Sequence, residues 1–220
     1  MNAGTDSSCS AQALEHLCRA YWHPLYAYAR RRGLSPEAGE DAVQGFLATV
    51  IARRSLSNVE RDGRRFRSWL LGGFTHHLTN IYRHGQAERR GSGQAALSLE
   101  DAEASLPADS SLSPDEAYDR RWAQLVLDAA MKKLREQQQG AGKGETYAVL
   151  EPLVTLQAKT PHAEAAAALG VAEQNVTLQI HRLRQRLRTL VRAEVARTVL
   201  TPEEVDSEMA YLLEVFARRR

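Results

Sequence analysis

His162-Ala163-Glu164-Ala165-Ala166-Ala167-Ala168-Leu169-Gly170-Val171-Ala172-Glu173-Gln174-Asn175-Val176 is the stretch whose pattern is least ambiguous in this 220-residue chain. Four consecutive alanines make a short helix that a neighbour can cross closely, and Gly170 tolerates the left-handed conformation a tight helix-to-helix turn requires. Val171, Val176 and Ile180 then pin a second helix on the first. That second helix continues as Thr177-Leu178-Gln179-Ile180-His181-Arg182-Leu183-Arg184-Gln185-Arg186-Leu187-Arg188, with five arginines and no acid over residues 174–193. Leu183, Leu187, Leu190 and Val191 supply its apolar stripe.

Working outward, the same 3.6-residue period recurs. Over residues 35–52 it joins Val43, Phe46, Leu47, Val50 and Ile51 on one face, and over 65–83 it joins Phe66, Trp69, Leu70, Phe74, Leu78 and Ile81. Tyr118, Trp122, Leu125, Val126 and Ala129 form a third stripe. Four helix starts carry a hydroxyl residue followed by proline: Ser35-Pro36, Ser113-Pro114, Thr160-Pro161 and Thr201-Pro202. The hydroxyl accepts from a first-turn N–H, and proline lacks the donor that would go unpaired there. Ser113 with Glu116 and Thr201 with Glu204 read as full capping boxes. An opening helix over about residues 11–32 is expected to kink or split at Pro24. Nothing alternates with period two, so the expected fold is all-α: two small helical domains joined by a flexible acidic linker, followed by a C-terminal amphipathic helix.

Composition sets the outer limits. Hydrophobic residues make up 43% and charged residues 25%, ordinary values for a folded soluble chain. No apolar run reaches the ~20 residues of a membrane span, and residues 1–10 lack the basic and apolar regions of a secretory signal. Cys9 and Cys18 are the only cysteines, too few for a disulfide framework, and a cytoplasmic location is expected. The net charge of +2 conceals blocks: residues 1–90 carry +5, 91–151 carry −5, 152–200 carry +4 and 201–220 carry −2. Two basic blocks around an acidic connector suit a polyanionic partner.

The arginine-rich second helix supplies the chemistry for that partner. A recognition helix presents its N-terminal residues to base edges in the major groove while arginines hold phosphates. Gln174, Asn175, Thr177, Leu178 and Gln179 are the base-facing candidates; His181, Arg182 and Arg184 follow. His16, His76 and His77 with the two cysteines make no metal-ligand set, and there is no phosphate-binding glycine loop or nucleophile elbow. The chain therefore reads as a non-enzyme, without cofactor or metal.

Leu169-Gly170-Val171, Val176 and His181-Arg182 resemble region four of bacterial RNA polymerase sigma factors of the extracytoplasmic-function type. Thr177 and Gln179 stand where that family usually has basic residues. Pro36-Glu37-Ala38-Gly39-Glu40-Asp41-Ala42-Val43-Gln44-Gly45-Phe46-Leu47 is similar to the region-two segment that docks on the polymerase clamp helices. Glu40, Asp41, Gln44 and Phe46 match it, and Gly45 replaces a family glutamate. Arg65-Phe66-Arg67-Ser68-Trp69-Leu70-Leu71, with His76, Asn80 and Arg83, is similar to the helix that reads and melts the promoter element nearer the start site. Arg67, Trp69, His76, Asn80 and Arg83 are the candidates there, since an aromatic ring can stack on a base while basic groups hold backbone.

The resemblance implies a sigma factor that binds core RNA polymerase, recognises promoter DNA and directs transcription initiation. It places a region-two-like domain at 11–84, a linker at 85–114, a region-four-like helix-turn-helix domain at 115–200 and an extension at 201–220. In that extension Val205, Met209, Leu212, Leu213 and Phe216 give an apolar face that could pack on either module or receive a regulator. The resemblance also implies an anti-sigma factor or a Ser/Thr kinase as partner. With an acid missing at Gly45, Thr49 is the candidate phosphorylation site, and Arg53 stands four residues on to pair a phosphate. The competing reading is a stand-alone helix-turn-helix regulator that acts without polymerase docking.

Overall fold

The computed structural model describes residues 3–52, 65–92, 112–155, 162–199 and 201–218. Among these there is no strand, and the chain runs through eight helices: α1 (Ala3–Arg31), α2 (Pro36–Ala52), α3 (Phe66–Ser92), α4 (Pro114–Gly140), α5 (Gly144–Val154), α6 (His162–Leu169), α7 (Glu173–Ala196) and α8 (Glu204–Ala217). Two of the expected helix starts are capped as their sequences require. The Ala38 N–H donates to Ser35 Oγ at 3.2 Å. At α4, Glu116 N–H donates to Ser113 Oγ at 3.2 Å and Ser113 N–H donates to Glu116 Oε2 at 2.7 Å, the reciprocal box. These bonds hold the Glu116 carboxyl below the usual carboxylate range. Thr160 and Pro161 lie outside the described residues.

Two expectations are corrected and a third is narrowed. Of the kink or split expected at Pro24, the split is absent: α1 continues past it to Arg31. Tyr21, Leu25, Tyr28 and Ala29 are all buried around that point, and packing on both sides of the proline outweighs a local penalty of about 3 kcal/mol. The box at Thr201 and Glu204 does not form. Thr201 and Pro202 lie in a turn, the Glu204 N–H donates to the Thr201 carbonyl rather than its hydroxyl, and Glu203 stands at the N-cap with no side-chain bond. Finally, the expected linker is helical at its start, because α3 continues to Ser92; residues 93–111 lie outside the described set.

The chain forms two compact units, Met1–Ala123 with Arg197–Arg220, and Gln124–Ala196. These bounds fall elsewhere than the sequence-derived 11–84 and 115–200: the start of α4 and all of α8 belong to the first unit. That unit is built on α1 packed against α2, and α2 against α3. Its core holds Leu25, Val43, Phe66, Leu70, Phe74, Tyr118 and Trp122 with the α8 residues Val205 and Leu212. Gly73 sets the α2–α3 approach: a Cβ there would stand 3.2 Å from the Phe46 ring. In the second unit α5 and α6 pack on α7 around Leu134, Leu150, Ala165, Val176, Ile180 and Leu190. A tight turn at Gly142, whose φ is +70°, joins α4 to α5. No helix among the described residues is long and apolar enough to cross a membrane.

Candidate nucleic-acid interface

The turn that aims α7 is built from backbone. Gly170 takes φ +64°, Val171 N–H donates to the Ala166 carbonyl at 3.1 Å and Gly170 N–H to the Ala167 carbonyl at 3.3 Å. This pair of bonds closes the C-terminus of α6 in the left-handed manner that favours glycine. Val176 and Ile180 are buried under the turn, as the sequence indicates, whereas Val171 is 37% exposed.

With those residues turned inward, Gln174, Asn175, Thr177, Leu178, His181, Arg182 and Arg184 are exposed and Gln179 is half-buried. Asn175, Leu178, Gln179 and Arg182 share one face of α7. With Arg186 they line a groove of about 660 Å³, whose other wall includes Lys143 and Tyr147. Lys143, Arg182 and Arg186 bring three cations, and none of the described residues lining the groove is acidic. The side chains present can do what major-groove reading demands: amides for adenine edges, an apolar tip for a thymine methyl, guanidinium for guanine or phosphate. Two candidates have internal duties instead. Arg184 Nη2 donates to the Leu153 carbonyl at 2.8 Å, closing the end of α5. The Thr177 hydroxyl donates to the Glu173 carbonyl at 3.2 Å and stands 3.0 Å from His162 Nδ1.

Sequence reasoning missed His162 and Tyr147. The Tyr147 hydroxyl is buried with no hydrogen-bond partner among the described residues, and burial pushes it up to about 12.

On α3, Trp69, His76, Asn80 and Arg83 recur at intervals of seven, four and three residues, so they form one row along the helix. His76 and Arg83 are exposed; Trp69 and Asn80 are half-buried. Trp69 is stacked on the buried Phe66, ring centroids 5.9 Å apart. Gly72 lies on the same row, and a Cβ there would meet nothing within 4 Å, so the row is open. Arg67 is not part of it. Expected at a DNA surface, it is 6% exposed and lies among Glu208, Asp119, Trp122 and Tyr211. Attraction to the two carboxylates outweighs the desolvation of its guanidinium and raises it above the ordinary arginine value.

On α2, Glu40, Asp41 and Gln44 are exposed, while Phe46 is 7% exposed and packs 5.3 Å from Phe74 and 5.7 Å from His77, centroid to centroid. Thr49 is exposed and its hydroxyl donates to the Gly45 carbonyl at 2.9 Å; Arg53 lies outside the described residues. No protein-family model, curated protein or solved structure matches the chain.

Proposed function

We propose that the protein is a sigma factor of the extracytoplasmic-function type, which docks on core RNA polymerase, engages two promoter elements and directs transcription initiation from the cytoplasm. One observation carries the reading: the helix-turn-helix is accompanied, in the other compact unit, by an open aromatic-basic row and an exposed acidic patch. A regulator that only needs to hold duplex DNA has no use for Trp69, His76 and Arg83 along one helix, or for Glu40, Asp41 and Gln44 turned to solvent on another. Asn175, Leu178, Gln179 and Arg182 would read the upstream element in the major groove. Trp69 would stack on an unpaired base nearer the start site while Arg83 holds backbone. Glu40 and Asp41 would meet basic groups of the clamp, where charge complementarity sets approach and register.

Thr49 belongs to the same reading as a switch. A phosphate there adds about −1.5 to −2 charges at pH 7 one turn beyond Gly45, the position where the family's acid is missing. The experiment is run-off transcription with bacterial core polymerase on a genomic promoter pool, using wild type, Thr49→Asp and Arg182→Ala. The reading expects new transcripts from wild type or from Thr49→Asp, and their loss in an Arg182→Ala variant of whichever chain is active. Duplex binding without transcription by either form contradicts it and favours the stand-alone regulator.

A further inference from the structure

The side chains around Arg67 are arranged as a binding site already filled by the chain itself. Arg67 Nε donates to Glu208 Oε2 at 3.1 Å, and Arg65 Nε stands 3.4 Å from Glu208 Oε1. Each oxygen of one carboxylate thus faces its own guanidinium, the manner in which arginines grip a phosphate. Tyr211 covers the site: its ring lies 4.1 Å from the Arg67 guanidinium and 5.9 Å from that of Arg65, and its hydroxyl donates to Asp119, which also takes Arg67 Nη1.

Glu208 and Tyr211 both come from α8, and nothing about α8 requires an acid at 208. Val205, Met209, Leu212 and Phe216 form its apolar stripe, and Glu208 sits inside that stripe, 2% exposed, with Oε1 lacking a hydrogen-bond donor among the described residues. An apolar residue at 208 alone would leave the buried Arg67 with one carboxylate fewer, a destabilising loss, so the acid answers the two arginines rather than any need of α8 itself. α8 has 14 residues and no side-chain N-cap, and isolated helices of that length are marginal in water, so its place rests on the docking of the buried Val205, Glu208 and Leu212.

We propose that α8 is an autoinhibitory latch: Glu208 occupies, in place of a nucleic-acid phosphate, the site formed by Arg65 and Arg67 at the start of α3, and a DNA strand must displace α8 to use it. This rests on the reading of α3 as a promoter-facing helix. Release of α8 takes Glu208 from both guanidiniums: Arg67 keeps Asp119 and the Trp122 ring, and Arg65 stands one turn before Trp69.

The test uses the full chain and a fluorescein-labelled 30-nucleotide single strand with its matching duplex, read by anisotropy at several salt concentrations. Glu208→Gln keeps the shape of the side chain and removes its charge. It is expected to bind the single strand at least about fivefold tighter than wild type at roughly 0.15 M salt, with log K falling more steeply with log salt by about 0.7 per added phosphate contact. Glu214→Gln removes the same charge from an exposed position of α8 and is expected to change affinity by less than about twofold. Adding Arg65→Ala to Glu208→Gln is expected to cancel the gain. Hydrogen exchange on the wild-type chain tests the latch without any substitution: amides of α8 lose protection when the strand is bound. Equal affinities of Glu208→Gln and Glu214→Gln, or α8 protection that is kept or increased with DNA bound, overturns the latch. Duplex binding by wild type that Arg182→Ala abolishes, with no gain in Glu208→Gln, overturns the latch and leaves the proposed function standing. No binding of the single strand by any variant overturns the latch, while the proposed function is judged by transcription with core polymerase.

Discussion

At the scale of single residues, charge and burial decide what each candidate can do. Arg67 and Arg83 look equivalent as letters in a basic helix, yet one is 6% exposed among two carboxylates and two rings and the other is exposed. The signal that separates them lay in other segments: Asp119 is flanked by Tyr118 and Trp122 on a buried face, and Glu208 interrupts an apolar stripe. An acid inside an apolar stripe asks for a buried cation, although spacing alone does not say which. His77 offers a prediction with a definite sign. Partial burial beside Phe46 holds it below the ordinary imidazole value of 6.5. In the range just below 6.5 the unfolded chain therefore binds more protons than the folded one, so the stabilising contribution is complete above that value and is lost as pH falls. Urea denaturation at pH 7.5, 6.5 and 5.5 is expected to show that decline, and His77→Gln to make it shallower; an unchanged pH profile in the variant contradicts the assignment.

At the scale of elements, local sequence carried most of the weight. Periodicity placed the cores of α2, α3, α4 and α7, because an amphipathic stripe is a property of one helix and needs no knowledge of its partners. The outermost members of the stripes, Ile51, Ile81 and Leu213, are exposed, since a helix face extends beyond the neighbour that covers it. The Thr201 cap went the other way, displaced by an intervening turn, and at Pro24 tertiary packing kept the helix continuous. Two helix-related glycines make opposite predictions. Gly170 has φ +64° with open space where a Cβ would point, so Gly170→Ala is expected to cost about 1 kcal/mol through backbone strain alone. Gly45 lies inside α2, and a Cβ there meets only His77 Nε2, at 3.8 Å. Gly45→Ala is expected to stabilise by about 0.8 kcal/mol through helix propensity. Chemical denaturation of the two variants checks both signs, and a shift in the same direction for both would contradict these local accounts.

At the scale of the whole molecule, the all-helical character was legible from the absence of any period-two pattern. The division into compact units was not. The first charge block ended at residue 90 and the resemblance ended its module at 84, but α8 is joined to the first unit by Glu208 and Tyr211, contacts separated from their partners by more than ninety residues. No local pattern encodes such pairings. The functional reading draws on surfaces in both units: the α7 face for duplex reading, the Trp69 row for a single strand, and the acidic face of α2 for polymerase. The last of these is what separates the proposed sigma factor from the stand-alone regulator. The decisive measurement is the affinity of the full chain for bacterial core RNA polymerase, in its Thr49→Asp form as well as wild type, compared with a Glu40→Lys/Asp41→Lys variant of each. Both replaced acids are exposed, so folding should be unaffected. The account predicts a stable complex for at least one form, weakened about tenfold or more by the double charge reversal, as opposed charges become like charges across the interface. Absence of a complex with either form, or a complex that the charge reversal leaves unchanged, contradicts it.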